Sequence, residues 1–131
     1  MKDMASQRAL FLRLPPIVNG DAMLVRRGRF LNIAIGWGID ADLWIVRIRN
    51  GQIVEVTSSA EAGSRPSFSL SASAPAWEEF AQIHPRPGYQ DILAMIDMRH
   101  ARVEGDLLAF FSNLLYFKGV FAAARASSVL A

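Results

Sequence analysis

The chain has 131 residues, enough for one domain with a substantial core, and no cysteine, which excludes disulfides, thiolate metal sites and cysteine nucleophiles. Its 14 basic and 12 acidic residues leave a formal charge of only +2, which argues against nucleic acid as a partner. The N-terminal residues lack the apolar segment of a secretory signal, and the longest apolar stretch, about residues 107–117, is too short to cross a bilayer. We therefore predict a single domain over residues 1–131, located in the cytoplasm and without a membrane span.

Two helices are predicted at the N-terminus, as an extension over residues 1–29. The first covers residues 4–14 and ends at Pro15-Pro16, because proline cannot continue the hydrogen-bond ladder. Asp21 then offers an N-cap for a second helix over about residues 21–28.

Three arginines lie around the last turn of the second helix: Arg26, Arg27 and Arg29. A solvated helix end explains them, because cations interact favourably with the C-terminal end of a helix dipole. The same cluster suits a carboxylate or phosphate headgroup, since guanidinium groups donate paired hydrogen bonds to both. We therefore predict an anionic-headgroup site at these three residues.

Alternation of apolar and polar residues predicts four strands in the middle of the chain. The first covers Phe30–Gly36, and the next two form a hairpin over Leu43–Thr57 around Asn50-Gly51. The fourth, Pro66–Ser73, carries serine on one side throughout, which is typical of an antiparallel strand with one polar face.

Two registers are available to the hairpin, and a slip of one residue exchanges its faces. A two-residue turn pairs Arg49 with Gln52. A turn with a bulge at Gly51 pairs Val46 with Val54 and collects the apolar residues on one face. The hydrophobic pattern favours the bulged turn, and we predict that register.

The segment Gly36-Trp37-Gly38-Ile39-Asp40-Ala41 has the letters of a dinucleotide-binding motif directly after a strand. That motif requires a following helix, whose N–H groups receive the pyrophosphate. A strand follows here instead, so we predict a turn between antiparallel strands and no cofactor.

The second half of the chain predicts two helices, a short strand and a long last helix. Ser73 and Pro75 open the first helix, and the second covers Tyr89–Met98. The strand Arg102–Glu104 leads to Asp106, which caps the last helix. The complete order, α-α-β-β-β-β-α-α-β-α, is typical of the α+β class.

The last helix has more apolar surface than one buried face requires. One set of residues follows the i, i+3, i+4, i+7 spacing of a single face: Leu107, Phe110, Phe111, Leu114, Phe117 and Phe121. Leu108 and Leu115 widen that face. The surplus predicts a second contact, with a ligand, a subunit or a membrane surface.

Residues with the spacing of a catalytic or metal site are missing from the sequence. His84 and His100 stand alone, without a metal-ligand spacing, and no serine lies in a nucleophile elbow. We therefore predict no catalytic residue, no metal site and no enzymatic activity.

Two segments give the chain a resemblance to a known family. Pro75-Ala76-Trp77-Glu78-Glu79-Phe80 follows the serine-rich strand, and Val103-Glu104-Gly105-Asp106 leads into the apolar last helix. Together with the Asn-Gly hairpin, they resemble the sterol-carrier, or non-specific lipid-transfer, domain family over about residues 30–125. The family implies a five-stranded, mainly antiparallel sheet covered on one face by helices, with a tunnel between sheet and helices that holds fatty acyl chains or sterols.

The resemblance implies binding or transfer of an apolar small molecule, and transient contact with a membrane surface is compatible with it. On this chain the implied tunnel-lining residues are Trp77, Phe80, Ile92, Met95, Phe110, Phe111, Leu114 and Leu115. The alternative is an accessory module that uses the surplus apolar face to form a homodimer or to bind a partner.

Overall fold

In a computed structural model of the protein, which describes residues 3–130, five strands form one sheet in the order β3-β2-β1-β4-β5. The strands are β1 (Asn32–Ile39), β2 (Asp42–Arg49), β3 (Gln52–Ser58), β4 (Phe68–Ala72) and β5 (Ala101–Gly105). The helices are α1 (Met4–Asn19), α2 (Ala22–Arg27), α3 (Ala74–Phe80), α4 (Ile92–Asp97), α5 (Leu107–Ser112) and α6 (Leu114–Leu130). The predicted α+β class is confirmed, and so is a mainly antiparallel sheet of five strands with helices.

The serine-rich strand β4 has two different neighbours. It pairs antiparallel with β5, as predicted, but parallel with β1 on its other side. A parallel pair needs a crossover, and residues 59–67 supply it by crossing the face of the sheet opposite the helices, over Leu43 and Ile45.

The hairpin adopts the register that we did not predict. Asn50 and Gly51 both have positive φ, at 52° and 80°, as a two-residue type I′ turn requires, and Arg49 pairs with Gln52. A bulge at Val54 then restores the alternation, so that Val46 pairs with Val56 rather than with Val54. The predicted pairing was wrong because the extra residue sits inside β3 and not in the turn.

The first helix continues past its two prolines, contrary to prediction. Leu14 and Val18 lie one turn apart, are both fully buried, and hold the chain helical on either side of Pro15 and Pro16. Pro15 and Pro16 have no N–H for the carbonyls of Phe11 and Leu12, and of these two residues Leu12 faces solvent. Water can satisfy the carbonyl of Leu12, so packing outweighs the local signal.

The last helix is divided in two. Asp106 caps α5 as predicted, accepting the N–H of Ala109 at 3.0 Å, but the helix ends at Ser112. The cause is Asn113, whose side-chain amide donates to the carbonyl of Ala109 at 3.0 Å and whose backbone leaves the helical region. A new helix, α6, then begins at Leu114.

Aromatic side chains fill the space between the middle of the sheet and the helices. Trp37 of β1 lies between Phe11 of α1, Trp77 of α3 and Phe121 of α6, with ring centroids 5.4, 5.3 and 4.3 Å away. Helix α1 therefore belongs to the same core as the segment that carries the family resemblance.

Close approach of β1 and β4 depends on Gly38. A Cβ atom added there would lie 2.8 Å from the Cβ of Ser71, with the Ser71 hydroxyl oxygen closer still. We expect Gly38→Ala to destabilise the protein by about 1–3 kcal/mol, because the strands must separate. Adding Ser71→Gly should restore part of the loss, and thermal unfolding of the single and double variants measures both. If the double variant recovered no stability, the contact between residue 38 and the Ser71 side chain would not be the cause of the loss.

Candidate functional site

The two halves of the sheet are covered differently. The long helices α1 and α6 pack on each other, with α1 against β3 and α6 over Trp37 and Phe68. Strand β5 is contacted by α4, and β4 is contacted by α5 as well as by Phe117 of α6; α4 and α5 have six residues each. Helices of that length are marginal on their own, so α4 and α5 depend on their packing against the sheet for stability.

A hollow of about 690 Å³, which we call the edge hollow, opens where β4 ends and β5 begins. Its lining residues are Asp40, Ser71, Ala72, Ser73, Ile96, Arg99, His100, Ala101, Arg102 and Val103. The left-handed backbone of Asp40 and Arg99, with φ of 52° and 62°, turns the chain at this point. No sequence pattern indicated this site, because its residues come from four separate segments.

A second hollow of about 300 Å³, which we call the helix hollow, opens beside the break between α5 and α6. Arg27 of α2 and residues 111–116 line it. Here the structure brings together four residues that the sequence assigned to ligand binding: Arg27, Phe111, Leu114 and Leu115. The other two predicted headgroup residues, Arg26 and Arg29, are exposed next to Arg27 on the chain and do not line the hollow.

The two hollows lie near opposite ends of strand β4. The ring of Phe68, at its start, lies 5.2 Å from that of Phe110, whose chain neighbour Phe111 lines the helix hollow, and Ala72, at its end, lines the edge hollow. Phe68 and Ala72 are four residue steps apart along the strand, a distance of roughly 13 Å. Leu70 lies between them and is fully buried.

The remaining predicted tunnel residues lie in the core. Ile92 and Met95 are fully buried on α4, the helix over β5, and Phe110 is fully buried under α5. Trp77 and Phe80 are buried at α3, where Trp77 Nε1 donates to the carbonyl of Gly38 at 2.8 Å. Neither Trp77 nor Phe80 lines the edge hollow or the helix hollow.

The apolar surplus of the last helix is smaller than the sequence suggested. Phe117 and Phe121, which belong to the predicted continuous face, are fully buried against the sheet. Among the large apolar side chains of residues 107–125, those that stay exposed are Leu107, Leu108, Phe111 and Leu115. They cluster around the break at Asn113.

Asp91 connects α4 to α6. Its Oδ1 accepts the N–H of Ala94 at 2.8 Å, and its Oδ2 lies 3.4 Å from Lys118 Nζ. Burial raises the pKa of Asp91, but the hydrogen bond from Ala94 and the charge of Lys118 outweigh it and hold the pKa below its ordinary value.

Lowering the pH should therefore destabilise helix α4. Because the folded-state pKa of Asp91 is lowered, its contribution to stability is complete above the ordinary carboxyl pKa and is lost as the pH falls through the folded-state value. We expect amide-exchange protection of Ile92–Asp97 to fall over that range. Asp91→Asn keeps a capping oxygen but removes the charge, so it should abolish the pH dependence. An unchanged pH dependence in Asp91→Asn would show that another group is responsible.

The two histidines lie in different surroundings, and only His100 lines one of the two hollows. His84 is exposed in a loop, and His100 stacks on Tyr89 with ring centroids 4.2 Å apart. Among residues 3–130, no group of three or more histidine, aspartate or glutamate side chains is placed to hold a metal ion. No helix in the same range is long and apolar enough to cross a membrane.

Solved structures share this architecture, although no protein-family model and no curated protein sequence matches the chain. The crystal structure of sterol carrier protein 2 superposes with a TM-score of 0.72 at 11% identity, over 89% of this chain and 94% of the other. The chain has the sterol-carrier fold. A ubiquinone synthesis protein, UbiJ-SCP2, gives a TM-score of 0.60 at 16% identity, over 95% of this chain and 96% of the other. Palmitated SCP2L2 from Aedes aegypti gives 0.53 at 13% identity, over 82% and 91%.

Both segments that carried the predicted resemblance have clear places in the sterol-carrier fold. Pro75–Phe80 lies within α3, which brings Trp77 under the sheet, and Val103–Asp106 forms the end of β5 and the cap of α5. The resemblance predicted from the sequence is thus confirmed at the level of the fold.

Proposed function

We propose that this protein binds or carries an apolar small molecule, such as a fatty acyl chain or a sterol, without catalysing a reaction. The proposed site lies between strands β4 and β5 and helices α4 and α5. One observation carries the proposal: two six-residue helices, α4 and α5, contact β5 and β4, with Phe117 of α6 beside them on Phe68, and a hollow opens next to each of the two short helices.

The lining chemistry supports an apolar ligand. Ile92, Met95 and Phe110 form the cover, Leu70 of β4 lies in the floor, and all four are fully buried without charge. Burial of a ligand methylene among such side chains contributes about 0.8 kcal/mol. Without a ligand, Met95 and Phe110 fill the space that the ligand would occupy. The Met95 side chain is unbranched and flexible, so it can change rotamer to admit a ligand.

Arginines at both ends support a ligand with an anionic head. Arg27 borders the helix hollow, whereas Arg99 and Arg102 border the edge hollow. A carboxylate at either end would receive charge-assisted hydrogen bonds while the chain lies along β4. Arg26 and Arg29 would add positive potential near the first of these ends.

Three of the proteins with this fold are consistent with the proposal by their descriptions. One is called sterol carrier protein 2, another is palmitated SCP2L2, and the third is called a ubiquinone synthesis protein. The sterol, palmitate and ubiquinone that these names mention are all largely apolar molecules.

Calorimetric titration with fatty acids of decreasing length tests the proposal. We expect palmitate to bind with a negative heat-capacity change, the signature of apolar burial. Each removal of two methylenes should weaken binding roughly tenfold. Absence of binding, or affinities independent of chain length, would contradict the proposed function.

A further inference from the structure

Four large apolar side chains on α5 and the first turn of α6 are exposed to solvent. Leu107 and Phe111 are about half exposed, and Leu108 and Leu115 are 77% and 64% exposed. Leu107, Leu108 and Phe111 share one side of α5, at the spacing i, i+1, i+4, and Leu115 follows one turn later. Isolated exposed leucines are ordinary, but a contiguous group on one side indicates a contact surface.

Arginines of α2 border the same group. Helix α2 packs on α6 where Gly28 meets the ring of Tyr116 and Leu24 meets Gly119, and this places Arg27 beside Phe111 and Leu115 at the helix hollow. Arg26 and Arg29 are next to Arg27 on the chain. We call these three arginines, with Leu107, Leu108, Phe111 and Leu115, the basic apolar face.

The three arginines are not neutralised within the described part of the chain. None of them forms an ion pair with an acidic side chain there. Arg29 Nη1 donates to the carbonyl of Arg26, and its guanidinium lies 4.7 Å from the ring of the exposed Phe30. The basic apolar face thus combines unpaired positive charge with exposed apolar side chains.

Two acidic residues belong to the helices that form the face, and both serve as N-caps. Asp21 accepts the N–H of Leu24 at 3.1 Å, and Asp106 accepts the N–H of Ala109 at 3.0 Å. They lie at the beginnings of α2 and α5, whereas the arginines lie at the end of α2. A second copy of the same face would bring six arginines together, so charge disfavours a symmetric dimer here.

We propose that the basic apolar face docks on the surface of a bilayer that contains anionic phospholipids. Leucine and phenylalanine side chains would enter the boundary between headgroups and acyl chains, while the arginines bind lipid phosphates. The inference stands independently of the proposed ligand site, although the helix hollow opens on this face.

Flotation of the full chain with vesicles tests the proposal. We expect binding to phosphatidylcholine vesicles that contain phosphatidylglycerol, and little binding to pure phosphatidylcholine. Added salt should weaken the binding, because the arginine contribution is screened. Arg27→Gln should weaken it roughly fivefold, whereas Arg65→Gln, an exposed arginine on the crossover, should not change it.

Matched apolar variants distinguish docking through the basic apolar face from nonspecific hydrophobic adsorption to vesicles. Leu115→Ser and Leu108→Ser should each weaken vesicle binding about tenfold. The controls are Ile83→Ser and Leu12→Ser, which remove side chains of nearly equal exposure, 65% and 77%, outside this face. The controls should bind like the unmodified chain.

Three results would overturn the proposal. The first is equal or absent binding to both kinds of vesicle, and the second is equal losses in the variants and their controls. The third is a dimer in sedimentation without lipid that Leu115→Ser dissociates, since a second copy would then occupy the face. None of these results bears on fatty-acid binding in solution, which tests the ligand site separately.

Discussion

Phe117→Glu is expected to unfold the protein, whereas Leu115→Glu, two residues earlier, is expected to leave it folded. Phe117 is fully buried, with its ring 4.8 Å from Phe68 and 6.2 Å from Phe110. Removing a buried phenylalanine costs about 3–5 kcal/mol, and a carboxylate in its place adds the cost of burying a charge or of protonating it. The total equals or exceeds the stability of a typical domain of this size.

The two variants introduce the same charge on the same helix, so they form a matched pair. Leu115 is mostly exposed, and surface substitutions usually change stability by less than about 0.5 kcal/mol. Circular dichroism and thermal unfolding measure both variants. A folded Phe117→Glu protein would contradict the buried position of this face and would revive the prediction of a subunit contact there.

Met95→Trp is expected to weaken palmitate binding strongly while the protein stays folded. Met95 is fully buried on α4, the helix that covers β5. A larger side chain there would occupy the space that the ligand must take. Overpacking of this kind costs about 1–3 kcal/mol, which a domain of this size tolerates. We expect the affinity for palmitate to fall at least tenfold, as measured by calorimetry.

Met98→Trp is the control, because it makes the same exchange at the exposed end of α4. Its affinity should stay the same. Leu114→Trp, at the helix hollow, provides a second obstruction if Met95→Trp lowers stability too far. Unchanged binding in both obstructing variants would show that the ligand lies elsewhere.

Much of the fold was predictable because local signals agree with tertiary packing along most of the chain. Ser73 and Asp106 both cap the helices predicted for them, at 3.2 and 3.0 Å from the N–H groups that they accept. The alternation in β4 correctly predicts which side chains are buried, since Phe68 and Leu70 lie in the core toward the helices. Patterns of this kind depend only on residues close in sequence.

The errors arose where distant contacts override a local signal. Burial of Leu14 and Val18 carries α1 through two prolines, which no local rule anticipates. The bulge at Val54 depends on which residues face α1 and not on the turn alone. Parallel pairing of β4 with β1 follows from the crossover, whose path the sequence does not indicate.

In the candidate site, too, local sequence patterns predicted some residues, whereas distant contacts determined the others. Apolar spacing correctly indicated Ile92, Met95 and Phe110 as inward-facing residues. The edge hollow was missed, because Asp40, Arg99 and Arg102 come together only through the order of strands in the sheet. Separation of Phe111 and Leu115 from the core depends on the break at Asn113, which the strong helical periodicity concealed.

The position of a bound fatty acid tests the central claim most directly. Isotope-filtered nuclear Overhauser spectra of the protein with ¹³C-labelled palmitate would identify the side chains that contact its chain. We predict contacts with Leu70 of β4 and with Ile92 and Met95 of α4, which are fully buried in the free protein. Contacts confined to exposed side chains such as Leu12 and Ile83, with none to these three, would contradict a ligand site between β4–β5 and α4–α5.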